Sequence, residues 1–292
     1  MDTPRRGFRI FRPGDEPSAR RRRIPAMDIA LAFIAAGLAA AMAGAWLVQR
    51  LTGNSGWVDT IWSLATGAGG VAAALIPVAG AHSARQAAVA ILIALWSLRL
   101  ALHIAGRARH GGDDPRYAAM AGQWGRLWPF YLFVFLEIQA AASVVLVLAV
   151  RLAAGNPAPV PAVTDMAGLA LLIAAVVGES LADGQLRRFG RTHKGAVCDV
   201  GLWKYSRHPN YFFEWLGWCA WAVIAFDPAH PSSLAAAAAP ALMYILLVHV
   251  SGIPPLEAHM LATRGERFRA YQATTSAFVP APRRVLNPEK PS

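Results

Sequence analysis

The sequence predicts an all-α fold, a polytopic transmembrane bundle of about seven helices, and three observations predict it. Of the 292 residues, 55% are hydrophobic and only 15% are charged, the balance of a chain that spends its length on membrane spans. Apolar stretches near the hydrocarbon-crossing length recur from end to end. The Lys and Arg residues, which bring the formal net charge to +11, fall in short segments between those stretches. Cations placed that way meet anionic lipid headgroups and obey the positive-inside rule, so no nucleic-acid partner is expected.

The elements follow in order. Arg5, Arg6, Arg9, Arg12 and the run Arg20 to Arg23 precede the first apolar stretch. Residues 1–26 therefore read as a disordered Arg-rich tail, or as the product of an upstream start with Met27 as the true one. Ile29 to Val48 is long enough to span and no clean cleavage site follows it, so it is read as a retained helix rather than a signal peptide. Seven spans are expected at 28–49, 57–80, 86–105, 128–150, 165–186, 210–227 and 234–253, within one transmembrane domain covering 27–292. The segments 106–127, 187–208 and the tail from 254 hold most of the remaining Lys and Arg, which assigns them and the C-terminus to the cytoplasm. With seven spans the Arg-rich tail would then lie outside, a conflict that a start at Met27 removes. Cys198 and Cys219 lack the spacing of a disulfide framework or a zinc site, and no metal is expected.

Ionisable side chains inside spans are costly, so several in one chain mark a function. Arg99 and His103 lie four residues apart in the third span, with Arg107 four further on, and so share one helical face. Glu179, Asp183 and Arg187 repeat that spacing in the fifth. Asp59, Glu137, Glu214 and His249 lie in other spans. The strongest local signal is the run from Gly201 to Glu214, GLWKYSRHPNYFFE, a basic and aromatic loop entering a helix at Pro209. Lys204, Arg207 and His208 at that helix start suit a phosphate or carboxylate, with Arg187, Arg188, Arg191, His193 and Lys194 adding charge upstream. A second basic segment, from Glu257 and His259 through Arg264 to Tyr271, is placed to close over a nucleotide.

These residues resemble a known family. The stretch from Glu179 to Pro280 resembles the C-terminal region of steroid 5-alpha reductases and, more closely, a bacterial membrane family of unknown function grouped with them. The stretches Trp57 to Trp62 and Arg99 to His103 are similar to that bacterial family as well, extending the likeness over most of the chain after Met27. The Arg-His-Pro-Asn-Tyr element from Arg207 to Tyr211 is also similar to isoprenylcysteine carboxyl methyltransferases, which bind S-adenosylmethionine. The resemblance implies that Asp183 and Arg187 contact a nicotinamide dinucleotide, and that Asn210 and Glu214 line it. It implies that Glu179 stands where the reductases have an Asn. Steroid reductases hold the enone carbonyl with a Glu and a Tyr on the second and third spans; that region here offers Asp59, Arg99 and His103 and no matching Tyr.

The expected function is reduction of an activated C=C bond in a lipid-soluble substrate, with NADPH as cofactor. Arg99 or His103 is expected to be the electrophilic or acid group, tuned by Asp59 and Glu137. The cofactor region is 179–280, through Glu179, Asp183, Arg187, Arg191, Lys194, Tyr205, Arg207, His208, Asn210, Tyr211, Glu214, Trp218, Glu257, His259 and Tyr271. The alternatives are an S-adenosylmethionine-dependent membrane methyltransferase and a non-catalytic lipid-binding protein. The expected partners are membrane lipids and a hydrophobic small molecule, and the expected location is the bacterial inner membrane.

Overall fold

The computed structural model describes residues 26–110 and 114–284. The tail at 1–25 lies outside the described residues. Ten α-helices occur among them: α1 (Ala26–Thr52), α2 (Gly56–Leu75), α3 (Ser83–His110), α4 (Pro115–Trp124), α5 (Trp128–Ala154), α6 (Val163–Thr192), α7 (Pro209–Ala225), α8 (Ala238–Ile245), α9 (Ile253–Arg264) and α10 (Glu266–Thr274). Six helical stretches are long and apolar enough to cross a membrane, and the fold is an all-α membrane bundle.

The seven expected spans all appear as helical segments, with three differences. The second span stops at Leu75, because Ile76 precedes Pro77 and turns extended (φ −62°, ψ 125°). The sixth, α7, has 17 residues, about 25 Å of helix at 1.5 Å per residue, and does not reach the length of the others. It is instead enclosed by α5, α6 and α8, burying Glu214, Trp218 and Trp221. The seventh is irregular: a 3₁₀ turn (Pro231–Ala237) leads into α8, a π turn (Leu246–Val250) follows, and the chain breaks at Ser251 and Gly252 before α9.

The segment 106–127 was expected to be a connection, and most of it is helix. α3 continues to His110, and α4 begins where Asp114 caps it by accepting a hydrogen bond from the Arg116 N–H, with Pro115 in the first turn. α4 packs on α5 and against α9.

Hydrogen bonds between connections define two ends of the bundle. At one end Asn54 donates to the Ala108 carbonyl, and the Asp114 N–H donates to the Ser55 hydroxyl. At the other, Arg85 ion-pairs with Asp165 at 2.7 Å and donates to the carbonyls of Asn156 and Ala158. Asn156 in turn donates to the Ile224 carbonyl. The exposed cations gather at the first end, hereafter the basic end; at the opposite end Arg85 and Arg151 are buried. α2 and α3 approach closely because Gly67 faces Ser97, where a Cβ would come within 2.1 Å of the serine Cβ. That approach carries Asp59 on α2 and His103 on α3 toward the same end.

Candidate functional site

Helical spacing places Trp96, Arg99, His103 and Arg107 on one face of α3, and the structure turns that face toward α6 and α7. Two polar layers result. In the deeper one Arg99 donates to Glu179 at 2.5 Å, with side chains 21% and 7% exposed. Glu214 accepts from both Trp96 (3.1 Å) and Trp218 (3.0 Å), one indole to each carboxyl oxygen. Glu214 lies within hydrogen-bonding reach of Glu179. The Arg99 Nε is buried and has no hydrogen-bond partner.

One turn nearer the basic end, His103 bridges two residues of α6. Its Nδ1 accepts from Arg187 at 2.8 Å, and its Nε2 lies 3.3 Å from the Asp183 carboxylate. The other Asp183 oxygen accepts from the Asn210 amide at 3.2 Å. Thus His103, expected as a catalytic acid, joins Asp183, Arg187 and Asn210, expected around the cofactor. Arg99 and Glu179, assigned to those same two sets, form a single ion pair.

A third cluster lies under α4. Arg116 is held between Asp59 and Asp114, reaching the latter at 3.0 Å, and the Tyr117 hydroxyl donates to Asp59 at 3.0 Å. Tyr117 is 2% exposed, and Gln139 of α5 faces it with a buried Oε1 that has no hydrogen-bond partner. Tyr211 at the start of α7 faces Arg116 from the other side and stacks on His208 at 5.6 Å between ring centroids. Burial alone would raise the Asp114 carboxyl, but the charge and hydrogen bonds of Arg116 outweigh it and hold Asp114 below the usual carboxylate range.

Asp59 was expected to tune Arg99 and His103, and the structure corrects that. Its carboxylate is bound by Arg116 and Tyr117, because α4 folds back over the start of α2. Glu137 sits half-buried on α5 and enters none of these clusters among the described ion pairs. Sequence reasoning missed Arg116 and Tyr117 altogether. The available signal was Asp114-Pro115, a cap and first-turn pair inside a segment otherwise read as a basic loop.

The fourth cluster belongs to the loop before α7. Arg207 donates to Glu257 at 2.7 Å and 3.2 Å and to the carbonyls of Gln272 and Thr275 at 3.2 and 2.5 Å. Four of its five donor positions are thereby occupied. His208 and Gln272 meet the same Glu257 carboxylate at 2.9 and 2.6 Å. Tyr271, 7% exposed, donates to the carbonyls of Trp203 and Ser206. Residues 275–284 complete a strap: the Arg207 N–H donates to the Ser276 carbonyl at 2.8 Å, and the Ala281 N–H to that of Tyr205 at 3.0 Å. The loop can turn back this way because Gly201 has φ +59° and the Gln185 amide fills the place of its Cβ, 2.5 Å away.

Of the expected cofactor residues, Arg207, His208, Glu257 and Tyr271 therefore fasten loop to strap, and their polar atoms meet protein rather than an open face. Glu214 and Trp218 are paired beneath the rim. Asp183 and Asn210 form the rim itself, beside Tyr211. Arg187, Arg191, Lys194 and Tyr205 stand exposed at the basic end, and His259 is half-buried on α9.

The clusters draw on every helix from α2 to α10 except α8, so a relative that shares this site must share nearly the whole bundle. No curated protein and no solved structure matches the chain. A family model described as a protein of unknown function (DUF1295) matches residues 45–275, from the last turns of α1 to α10, and the chain belongs to that family.

Proposed function

We propose that the chain is an integral membrane reductase that uses NADPH to saturate an activated C=C bond of the enone type in a lipid-soluble substrate. The observation that carries this reading is the Asp59, Arg116 and Tyr117 cluster adjoining the His103, Asp183 and Asn210 rim. Tyr117 provides the hydroxyl that the second and third spans lack. Its proton, held by Asp59 in the resting structure, is available to a substrate carbonyl, while Arg116 holds the Asp59 carboxylate in place. An enolate oxygen developing there would meet the hydroxyl and a nearby guanidinium. This revises the assignment of the electrophile from Arg99 or His103 to Tyr117. The likeness to steroid 5-alpha reductases supports the reaction class, and the exposed Arg187, Arg188, Arg191 and Lys194 suit the pyrophosphate and 2′-phosphate of NADPH. S-adenosylmethionine, whose one anion is a carboxylate, has less use for that many cations.

The test is direct. Purified protein in mild detergent is given a panel of lipid enones with NADPH and, separately, prenyl thiols with labelled S-adenosylmethionine. Enone-dependent NADPH oxidation is the expected result. Methyl transfer without NADPH oxidation overturns the reading in favour of the methyltransferase, and neither reaction, with no bound nucleotide, favours a lipid-binding protein.

A further inference from the structure

The deep layer places two carboxyls and one guanidinium among buried tryptophans. Glu179 is 5% and Glu214 9% exposed, the first in the interior of α6 and the second in the second turn of α7. Arg99 is the cation facing them, and Asp183 lies one turn away on α6. Both carboxyls ionised would leave the layer with net negative charge where charge is costly. Two carboxyl groups that share one site and face one cation are satisfied when a single proton lies between them. The two indole N–H groups donate to both oxygens of Glu214 and Arg99 to one of Glu179, so three of the four carboxyl oxygens already have a donor.

The path from this pair to water is laid out in titratable groups. From Glu179 the next is Asp183, then His103, whose Nε2 is 3.3 Å from the Asp183 carboxylate, then exposed Arg187 at the basic end. A guanidinium only donates, so the 2.8 Å contact from Arg187 makes His103 Nδ1 an acceptor and puts the ring proton on Nε2, directed at Asp183. Arg187 thus occupies the atom through which His103 would receive a second proton. Arg99 and Arg107 on α3 and Asn210 on α7 complete the polar surroundings of the His103 and Asp183 pair.

We propose that Glu179 and Glu214 hold one shared proton, exchanged with water at the basic end through Asp183 and His103, with Arg187 as the gate. When Arg187 moves off, Nδ1 takes up a proton and the ring gives its Nε2 proton to Asp183 and onward to the carboxyl pair; the ring then swings toward water, where Nε2 takes up a proton and Nδ1 releases one, and it turns back in the starting tautomer. The relay conserves protons and needs no other reactant. That this proton completes saturation of the double bond, by protonating the enolate carbon after hydride addition, rests on the reductase reading. The proton site itself does not.

Infrared difference spectroscopy of the purified, nucleotide-free protein tests it without any substrate. The wild type is expected to show, at neutral pH, the carbonyl band of a protonated buried carboxyl that shifts in D₂O and is lost in both Glu179→Gln and Glu214→Gln. No such band in the wild type, or a band that survives both substitutions, overturns the proton site. In His103→Phe the band is expected to persist but to shift in D₂O at least tenfold more slowly, and in Arg187→Gln to shift faster. An unchanged rate in both variants overturns the relay. Trp218→Phe, which removes one indole donor and leaves both carboxyls, is expected to move the band's frequency without abolishing it; an unmoved band overturns the assignment to Glu214. Because no NADPH or enone is present, failure of the reductase reading leaves these outcomes intact, and their failure leaves NADPH oxidation to be judged separately.

Discussion

At the scale of single residues, the chemistry turns on Tyr117 and on His208, which bury polar atoms for different purposes. Tyr117→Phe removes one hydroxyl, keeps the ring against Phe135 at 6.3 Å and leaves Arg116 paired with Asp59 and Asp114. Its expected effect is a fall of roughly 10²–10³-fold in kcat for enone reduction with NADPH affinity unchanged, the usual worth of one donor at a developing oxyanion. Steady-state kinetics with an equilibrium nucleotide titration check it, and an unaltered kcat returns the electrophile to Arg99. His208 instead serves stability. Burial pushes its imidazole below the ordinary histidine pKa, outweighing the pull of Glu257, so the folded protein keeps it neutral. An unfolded chain binds that proton below about pH 6.5, so the stability from neutral His208 is present above that value and is lost as pH falls through it. Thermal melts from pH 7.5 to 5.5 should fall more steeply for the wild type than for His208→Gln; parallel curves would show that this imidazole contributes nothing.

Among the elements, the loop at 201–208 and the strap at 275–284 act together through Arg207. Arg207→Ala leaves Glu257 with only His208 and Gln272 as partners and frees two backbone carbonyls. Breaking a buried pair costs roughly 3–5 kcal/mol, and this part-buried one is expected to fall at or below the lower figure, to be read as a lower melting temperature in detergent and faster tryptic cleavage near Arg264 and Arg283. Removing the exposed cations Arg191 and Lys194 should barely move the melting temperature but weaken NADPH about ten- to a hundredfold, the range for charge-assisted bonds to phosphate. The opposite ranking would make Arg207 the phosphate ligand and the α6 cations a mere solvated face. The elements also show what was legible beforehand. Hydropathy located every long helix, and the i, i+4 rule placed Arg99 with His103 and Glu179 with Asp183, because those neighbours lie on one helix. Asp59 with Arg116, 57 residues apart, and Arg207 with Glu257, 50 apart, are products of packing, and no local period encodes them. α4 was hidden for a further reason: its 10 residues are too short and too polar to register as a span.

For the whole molecule, the division into a basic end and an end of buried arginines is a statement about sidedness. We expect the basic end in the cytoplasm. Lys194→Cys and Arg267→Cys should react with a membrane-impermeant thiol reagent only in inverted vesicles, and Val160→Cys, on the 155–162 connection, only in right-side-out ones. The reverse pattern would remove the cytosolic nucleotide from the cations at the end of α6. The strap adds a temporal side to that orientation. Arg207 emerges from the ribosome 50 residues before Glu257 and 68 before Thr275, the partners that later absorb its donors. At roughly 5–20 residues per second that interval lasts about 3–14 seconds. Throughout it the guanidinium lacks the acceptors that Glu257 and the strap later supply and is free to meet headgroup phosphates. With the basic end in the cytoplasm, as expected, the arginine that ends as an internal fastener would begin as a topogenic charge on the synthesising side.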